Sequence, residues 1–140
     1  MSPQSYLIDT SALARILTSA DAREPWLKHL TEGVIGYCDL TELEFLFSAR
    51  SVADRLAKQE LLGTLLSWVP IPDQVYSRAR RVQQQLTEQG GHRSAGAVDL
   101  LLAATADLSG LTLLHYDRDF ETVAAVTGQP VQWLATPGSL

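Results

Sequence analysis

The residues with the clearest capacity for chemistry are acids that follow two short apolar runs. In "SYLIDTSAL", residues 5–13, Asp9 comes directly after such a run, and in "TLLHYDRDF", residues 112–120, Asp117 and Asp119 come after another. The carboxyl ends of parallel strands lie at one edge of a sheet, where a crevice forms at the point of strand-order reversal. If the two runs are neighbouring strands at that point, we expect Asp9 and Asp117 to approach each other.

Two more acids have reasons to reach the same edge. Asp99 interrupts "AGAVDLLLAATA", where an ionised carboxylate is costly to bury unless it is paired or binds a metal. Glu44 lies in the first turn of a predicted helix that follows another apolar strand. Structural roles stay open for each acid, because Asp9 and Asp119 also suit helix caps. Glu44 also suits the first turn of any helix, and Asp99 a core position satisfied by a hydrogen bond.

A cluster of these carboxylates would require a counter-ion. Two of them about 5 Å apart, at an effective dielectric constant of about 20, repel by roughly 3 kcal/mol. A divalent cation removes this cost, and hard oxygen ligands with few imidazoles favour Mg²⁺ or Mn²⁺ over zinc. Such an ion activates a water molecule and holds a phosphate group for displacement. The acids therefore predict metal-dependent chemistry on a phosphate ester.

Alternating strands and helices must position these acids. Apolar runs predict strands at 6–8, 34–38, 68–72, 111–116 and 131–134, and helical spacing predicts helices at 13–17, 21–30, from about 41, 52–66, 73–90, 94–110 and 120–127. Strands that are apolar along their whole length and alternate with helices indicate a parallel sheet covered on both faces. The predicted fold class is α/β, with about five strands in a central parallel sheet. No linker or repeat divides residues 1–140, so we expect a single domain.

The composition is that of a globular domain, with 46% hydrophobic and 19% charged residues. No apolar stretch is long enough to span a bilayer, and the first residues lack the features of a signal peptide. We therefore expect no membrane association and a cytoplasmic location. Cys38 is the only cysteine, which excludes an internal disulfide, and it is predicted to be a small buried hydrophobic residue.

Four segments that contain the acids resemble, in order, the motifs of a known enzyme family. They are "YLIDTSAL", "TELEFLFSAR", "AVDLLLAATA" and "LLHYDRDF", and they are similar to motifs of PIN-domain ribonucleases, most closely the VapC toxins of bacterial type II toxin-antitoxin modules. The resemblance implies a three-layer α/β/α PIN-like domain. It also implies a Mg²⁺-dependent endoribonuclease that hydrolyses RNA phosphodiester bonds, forms a homodimer and is neutralised by a cognate antitoxin protein.

The resemblance also assigns roles to individual residues. The catalytic, metal-binding acids that it implies are Asp9, Glu44, Asp99 and Asp117, with Asp119 as a candidate additional ligand and Ser11 as a supporting residue beside the first aspartate. Glu44 is preferred to Glu42 because the motif places the acid before a short apolar run, a small residue and alanine, as in "EFLFSA". Glu42 would face another side of the helix.

RNA binding has to be reconciled with an acidic chain. The formal net charge is −5, from 16 acids and 11 bases, which argues against a broad electrostatic grip on nucleic acid. Without the four implied ligands, 12 acids face 11 bases, so the remaining charge is nearly balanced. Arg50, Arg93 and Arg118 are the candidates for contacts with RNA phosphates.

The remaining histidines and apolar residues have simpler interpretations. His115, near the end of a strand, is predicted to be a packed or edge residue, whereas His29 and His92 are predicted to lie on the surface. The apolar helices between residues 43 and 66 offer a surface for a second copy of the chain or for an antitoxin helix, although plain core packing explains them equally well.

Two other functions compete with the nuclease. An aspartyl-phosphate phosphohydrolase that uses Mg²⁺ also carries a D-x-D motif, but there it follows the first strand and needs a nearby lysine. Here "DRD" follows the fourth predicted strand, and neither Lys28 nor Lys58 is near the carboxyl end of a strand. A non-catalytic PIN-like module that binds proteins is the second alternative. No G-x-G-x-x-G, G-x-x-x-x-G-K-[ST] or G-x-S-x-G motif occurs, so dinucleotide, P-loop and α/β-hydrolase functions have no support.

Overall fold

The computed structural model describes residues 4–140, which contain one parallel sheet of five strands in the order β3-β2-β1-β4-β5. The strands are β1 (Tyr6–Ile8), β2 (Ile35–Tyr37), β3 (Ser67–Trp68), β4 (Thr112–His115) and β5 (Val131–Trp133). The chain adds β2 and β3 on one side of β1, then crosses to add β4 and β5 on the other. The strand order therefore reverses between β1 and β4, which meets the condition under which Asp9 and Asp117 are expected to approach each other.

Helices cover both faces of the sheet. The described residues form eight α-helices, α1 (Thr10–Thr18), α2 (Ala20–Arg23), α3 (Leu27–Glu32), α4 (Asp39–Leu46), α5 (Val52–Leu65), α6 (Val75–Glu88), α7 (Ala97–Leu108) and α8 (Arg118–Thr127), with a 3₁₀ turn at Glu24–Trp26. In the part of the chain that the structure describes, no helix combines the length and apolarity needed to cross a membrane.

Successive residues of the central strands face opposite layers because side chains alternate along a strand. Leu7 and Leu113 are buried in a core shared with α6, α7 and α8. Ile8 and Leu114 are buried in a second core shared with α1 and with the Leu62 side of α5. The two cores confirm the predicted three-layer α/β/α architecture with a five-stranded parallel sheet.

Close packing also requires a glycine at position 36 in β2. A Cβ added at Gly36 would lie 2.5 Å from Cγ2 of Val69 and 3.2 Å from the carbonyl oxygen of Ser67. These distances are too short for an ordinary contact. Because residue 36 has no side chain, β2 can approach β3 and Val69 this closely.

Several element boundaries differ from the sequence predictions. The predicted strand at 68–72 shrinks to Ser67–Trp68, because prolines cannot donate to the ladder. Gln74, rather than the predicted Asp73, is the N-cap residue of α6. The predicted helix at 21–30 is broken by the 3₁₀ turn, in which Pro25 occupies an early position. None of these differences moves the carboxyl ends of β1 and β4.

Candidate active site

Asp9 immediately follows β1 and is the N-cap residue of α1. Its Oδ1 accepts a hydrogen bond from the Ala12 amide at 3.0 Å, and the Ser11 hydroxyl lies 2.8 Å from both carboxylate oxygens. Only 4% of Asp9 is exposed. Burial raises the pKa of Asp9 to about 6, against the hydrogen bonds from Ala12 and Ser11, and the charge of Asp99 raises it further. Asp9 is therefore a fixed, buried carboxyl group whose charged form is disfavoured by its surroundings.

Ser11 links the ends of the two central strands. Its hydroxyl donates to Asp9 after β1 and accepts a hydrogen bond from the Tyr116 amide after β4 at 3.0 Å. The backbone adds a second link, because the Asp9 amide donates to the Leu114 carbonyl at 3.0 Å. These bonds fix the position of the Asp9 carboxylate relative to the turn that carries Asp117.

Asp117 and Asp119 lie at the start of α8. Asp117 is the N-cap residue, and its Oδ1 accepts from the Asp119 amide at 2.9 Å. Both residues are half-buried. Burial raises the pKa of Asp119, and the charge of Asp117 adds to the effect. The structural role that the sequence left open for Asp119, a helix cap, belongs instead to Asp117.

Asp99 is the acid whose pKa is raised by three of the other acids. It lies in the first turn of α7 and is half-buried. Burial raises the pKa of Asp99, and the negative charges of Asp117, Glu44 and Asp119 raise it further. Since Asp99 also acts on Asp9, each of the other predicted acids lies within electrostatic reach of Asp99 at the carboxyl edge of the sheet.

Glu44 reaches this edge from α4. The buried Thr41 hydroxyl donates to the Ile8 carbonyl at 3.0 Å, which anchors α4 on the end of β1. The prediction that Glu44 lies in the first turn is wrong, because α4 begins at Asp39 and Glu44 lies in the second turn. Its carboxylate accepts from the Thr10 hydroxyl at 2.7 Å. Its charge acts on Asp99, whereas the charge of Glu42 acts on Tyr37. The two glutamates therefore face different sides of α4.

The acids share an edge but do not form a closed cage. Across residues 4–140, no three His, Cys, Asp or Glu side chains stand close enough together to chelate one ion. Within the same residues, none of the five acids forms a salt bridge with an arginine or lysine. No arginine or lysine side chain among the described residues therefore neutralises their charges. Their oxygens are of the hard type that Mg²⁺ and Mn²⁺ prefer.

The predicted arginines form no ion pair with the acids among the described residues. Arg50, Arg93 and Arg118 are exposed. Arg118 opens α8 between two of the acids, while the backbone amide of Arg50 donates to the Asp54 carboxylate at 2.9 Å. Their contacts with RNA stay predictions.

His115 is packed, as predicted. It is fully buried, with ring centroids 4.8 Å from Trp133 and 5.5 Å from Phe120. Burial lowers the pKa of His115, and the charges of Glu121 and Asp117 oppose this effect. Sequence reasoning missed that its Nδ1 accepts a hydrogen bond from the Asp117 amide at 3.1 Å.

Predictions for the other single residues had mixed outcomes. Cys38 is fully buried and His92 is exposed, as predicted. The prediction that His29 lies on the surface is wrong, because its ring packs against Trp26 and Tyr6 and is half-buried. In the apolar stretch 43–66, Leu62 belongs to the core whereas Leu61 is exposed.

The fold and the acidic edge agree with a known family. Residues 6–126 match the family model described as PIN domain, and the chain belongs to the PIN-domain family. It is 40% identical over 139 residues to the protein named Ribonuclease VapC21 of Mycobacterium tuberculosis, covering 96% of this chain and 96% of that protein. Within the family, the chain is a member of the VapC group.

Solved structures show the same fold. A DNA-bound VapBC from Salmonella typhimurium superposes with a TM-score of 0.76 at 20% identity, covering 94% of this chain and 99% of that one. A toxin-antitoxin complex from Klebsiella pneumoniae gives a TM-score of 0.71 at 20% identity, with coverage of 94% and 98%. At these identities the likeness establishes the fold alone.

Proposed function

We propose that this protein is a Mg²⁺- or Mn²⁺-dependent endoribonuclease toxin that hydrolyses RNA phosphodiester bonds and is neutralised by a cognate antitoxin. The observation that carries the proposal is that Asp117 and Glu44 raise the pKa of Asp99 by their charge, and that Asp99 in turn raises the pKa of Asp9, at the carboxyl edge of β1 and β4. The relatives that share 40% of its residues are named as ribonucleases. A homodimer in the cytoplasm, which the resemblance implies, belongs to the same proposal.

The open arrangement of the acids fits a hydrated ion. Mg²⁺ dehydrates reluctantly and usually keeps several waters, so it is bound through one or two carboxylates and substrate phosphates. Asp9 and Asp99 would hold the ion, and the remaining acids would act directly or through its water shell. Such an ion does not need three carboxylates in direct contact, so the lack of a three-residue cluster among the described residues is compatible with binding.

The chain's own residues have distinct tasks in this reaction. When bound, the ion supplies charge stabilisation on the phosphate and a more acidic water. Ser11 and the α1 backbone hold the Asp9 carboxylate in one orientation. Glu44 is exposed and its Oε1 accepts a hydrogen bond from the Thr10 hydroxyl, so its Oε2 is suited to orient or deprotonate the attacking water. Arg118 is suited to contact the RNA backbone beside Asp117 and Asp119.

A groove beside the acids is our proposed antitoxin site. It encloses about 430 Å³, and its lining includes Thr10, Ala14, Leu17, Glu44, Phe45 and Leu61 from α1, α4 and α5. Phe47, which is 91% exposed, and Leu43 line a second depression with Glu44. An apolar antitoxin helix seated in the α1-α4-α5 groove would lie against Glu44 and block substrate access.

A cleavage assay tests the enzymatic proposal. Structured RNA is incubated with the purified protein in Mg²⁺ or in EDTA, using the unchanged chain, Asp9→Asn and the control Asp21→Asn. Asp21 is exposed on α2, separated from Asp9 by the nine residues of α1. We expect cleavage only with Mg²⁺, loss of cleavage in Asp9→Asn, and normal cleavage in the control.

Two other results would select the alternatives. Turnover of p-nitrophenyl phosphate without RNA cleavage would identify a phosphohydrolase. Absence of both activities in the folded protein would favour a non-catalytic binding module. Cleavage that persists in Asp9→Asn would show that the acidic edge is not the active site.

Co-purification tests the antitoxin site. Phe47→Ser removes an exposed aromatic ring beside the groove, and Leu27→Ser, at a 49% exposed position on α3, is the matched control. We expect Phe47→Ser to reduce recovery of the cognate antitoxin at least about tenfold, as for a buried aromatic hot spot. Equal recovery with both variants and with Leu61→Ser, which changes an exposed residue inside the groove, would place the antitoxin elsewhere.

A further inference from the structure

The turn after β4 is held by side-chain acceptors. Three of its amides donate to side chains: Tyr116 to the Ser11 hydroxyl at 3.0 Å, Asp117 to His115 Nδ1 at 3.1 Å, and Asp119 to Asp117 Oδ1 at 2.9 Å. The middle bond sets the backbone of Asp117 itself. The orientation of the Asp117 carboxylate therefore depends on where the His115 ring is fixed.

Packing leaves the His115 ring little freedom. The residue is fully buried, and Trp133 and Phe120 contact its ring with centroid distances of 4.8 and 5.5 Å. Closely packed rings in a core keep one rotamer on average. Nδ1 is thus a fixed acceptor two residues before the acid that it orients.

The chemistry of the ring supports a role beyond filling space. To accept from the Asp117 amide, Nδ1 must carry a lone pair, so the proton of the neutral ring is on Nε2. Nε2 faces Glu121 Oε1 at 3.6 Å, too far for a good hydrogen bond, and has no other partner among the described residues. A buried donor without a partner costs free energy that an apolar residue of similar size would avoid.

We propose that His115 is a positioning residue of the acidic edge, and that its Nδ1 fixes the Asp117 amide so that the Asp117 carboxylate is directed at Asp99. This inference rests on the proposed metal-dependent function and extends it to a residue outside the acid set. Groups that orient metal ligands typically affect metal affinity by 10- to 100-fold when removed.

Two substitutions separate the acceptor from the packing. His115→Asn shortens the side chain but places Oδ1 close to the former Nδ1 position, so it retains an acceptor. His115→Leu fills more of the space and removes the acceptor. A purely structural role predicts that Leu is tolerated at least as well as Asn, whereas a positioning role predicts the reverse order in metal binding.

The readouts are Mn²⁺ affinity, measured by electron paramagnetic resonance, and the melting temperature in EDTA. We expect the Mn²⁺ dissociation constant to rise about tenfold or more in His115→Leu and to stay within about threefold of the unchanged protein in His115→Asn. The melting temperature should not follow this order. Equal Mn²⁺ affinities in the two variants, or weaker binding in His115→Asn, would overturn the proposal.

A measurement on the unchanged, metal-free protein keeps this test independent of the proposed function and of variant folding. Nuclear magnetic resonance should detect scalar coupling between the Asp117 amide nitrogen and His115 Nδ1 across the hydrogen bond. Absence of this coupling overturns the positioning role even if Mn²⁺ binds. If the coupling is present but the unchanged protein does not bind Mn²⁺, the metal site fails. The positioning role is then decided by hydrogen exchange of the Asp117 amide, whose protection should be lost in His115→Leu and retained in His115→Asn.

Discussion

Replacing Asp9 by asparagine should make the metal-free protein more stable at neutral pH. The pKa of Asp9 is raised from 3.8 to about 6, mainly by burial. At about 1.4 kcal/mol for each tenfold change in proton affinity, the ionised carboxylate costs the folded protein about 3 kcal/mol at pH 7.5. The asparagine side chain would keep acceptors for the Ala12 amide and the Ser11 hydroxyl but would weaken these bonds by about 1 kcal/mol. The expected net gain is about 2 kcal/mol.

The sign of the pH dependence follows from the raised pKa of Asp9. Because the folded protein holds this proton more tightly than the unfolded chain, the contribution to stability is fully present below pH 3.8 and is lost as the pH rises through about 6. At pH 4.5 the remaining cost of ionisation is about 1 kcal/mol, which is offset by the weaker hydrogen bonds of asparagine. The advantage of Asp9→Asn should therefore disappear at this pH.

Urea unfolding in EDTA at pH 7.5 and pH 4.5 measures this difference, with Asp21→Asn as the exposed control. The control should stay within about 0.5 kcal/mol of the unchanged protein at both values of pH. A destabilised Asp9→Asn at pH 7.5, or a difference that does not change with pH, would refute the inference that burial without a counter-charge strains this carboxylate.

Three further substitutions, one of them with a matched control, test the surroundings of the site and the sheet. Asp99→Asn should raise the melting temperature in EDTA because burial and the neighbouring acids disfavour its charge, and a lower temperature would contradict the repulsion. Ser11→Ala removes the hydroxyl that links the ends of β1 and β4, so the free energy of unfolding in urea should fall by about 2 kcal/mol. An unchanged free energy of unfolding would mean that a water molecule replaces the hydroxyl. Gly36→Ala should lower the free energy of unfolding by about 1–3 kcal/mol because the added Cβ overpacks the sheet. Gly63→Ala, in open space on α5, is the control and should raise it by about 1 kcal/mol. Changes of the same sign would disprove the crowding around β2.

The architecture could be predicted from the sequence because local patterns determine it. Fully apolar runs at the positions of β1, β2 and β4 admit few alternatives to buried parallel strands, and helices between them follow from the connection rule. Because β1 and β4 are parallel, the acids that follow them must lie at the same edge of the sheet. Boundaries were less predictable where proline and short turns compete, as around Pro25 and after β3.

The contacts within the site could not be predicted in the same way. The bond between Thr10 and Glu44 joins residues 34 positions apart, and that between Ser11 and Tyr116 joins residues 105 apart. Hydrogen bonds between residues so far apart in the sequence depend on side-chain rotamers, which are selected only in the packed structure. The role of His115 was hidden for the same reason, since its burial was readable from the sequence and the direction of Nδ1 was not.

The division of the acids between the two helical layers has a consequence for synthesis in the cell. Asp9 opens α1, which packs on one face of the sheet, whereas Asp99 and Asp117 begin helices that pack on the other face. A growing chain on the ribosome contains Asp9 early but lacks Asp117 until most of the protein has emerged. Under the proposed function, the acidic site is complete only when most of the chain has been synthesised, and separation of the two helical layers would separate Asp9 from Asp99 and Asp117.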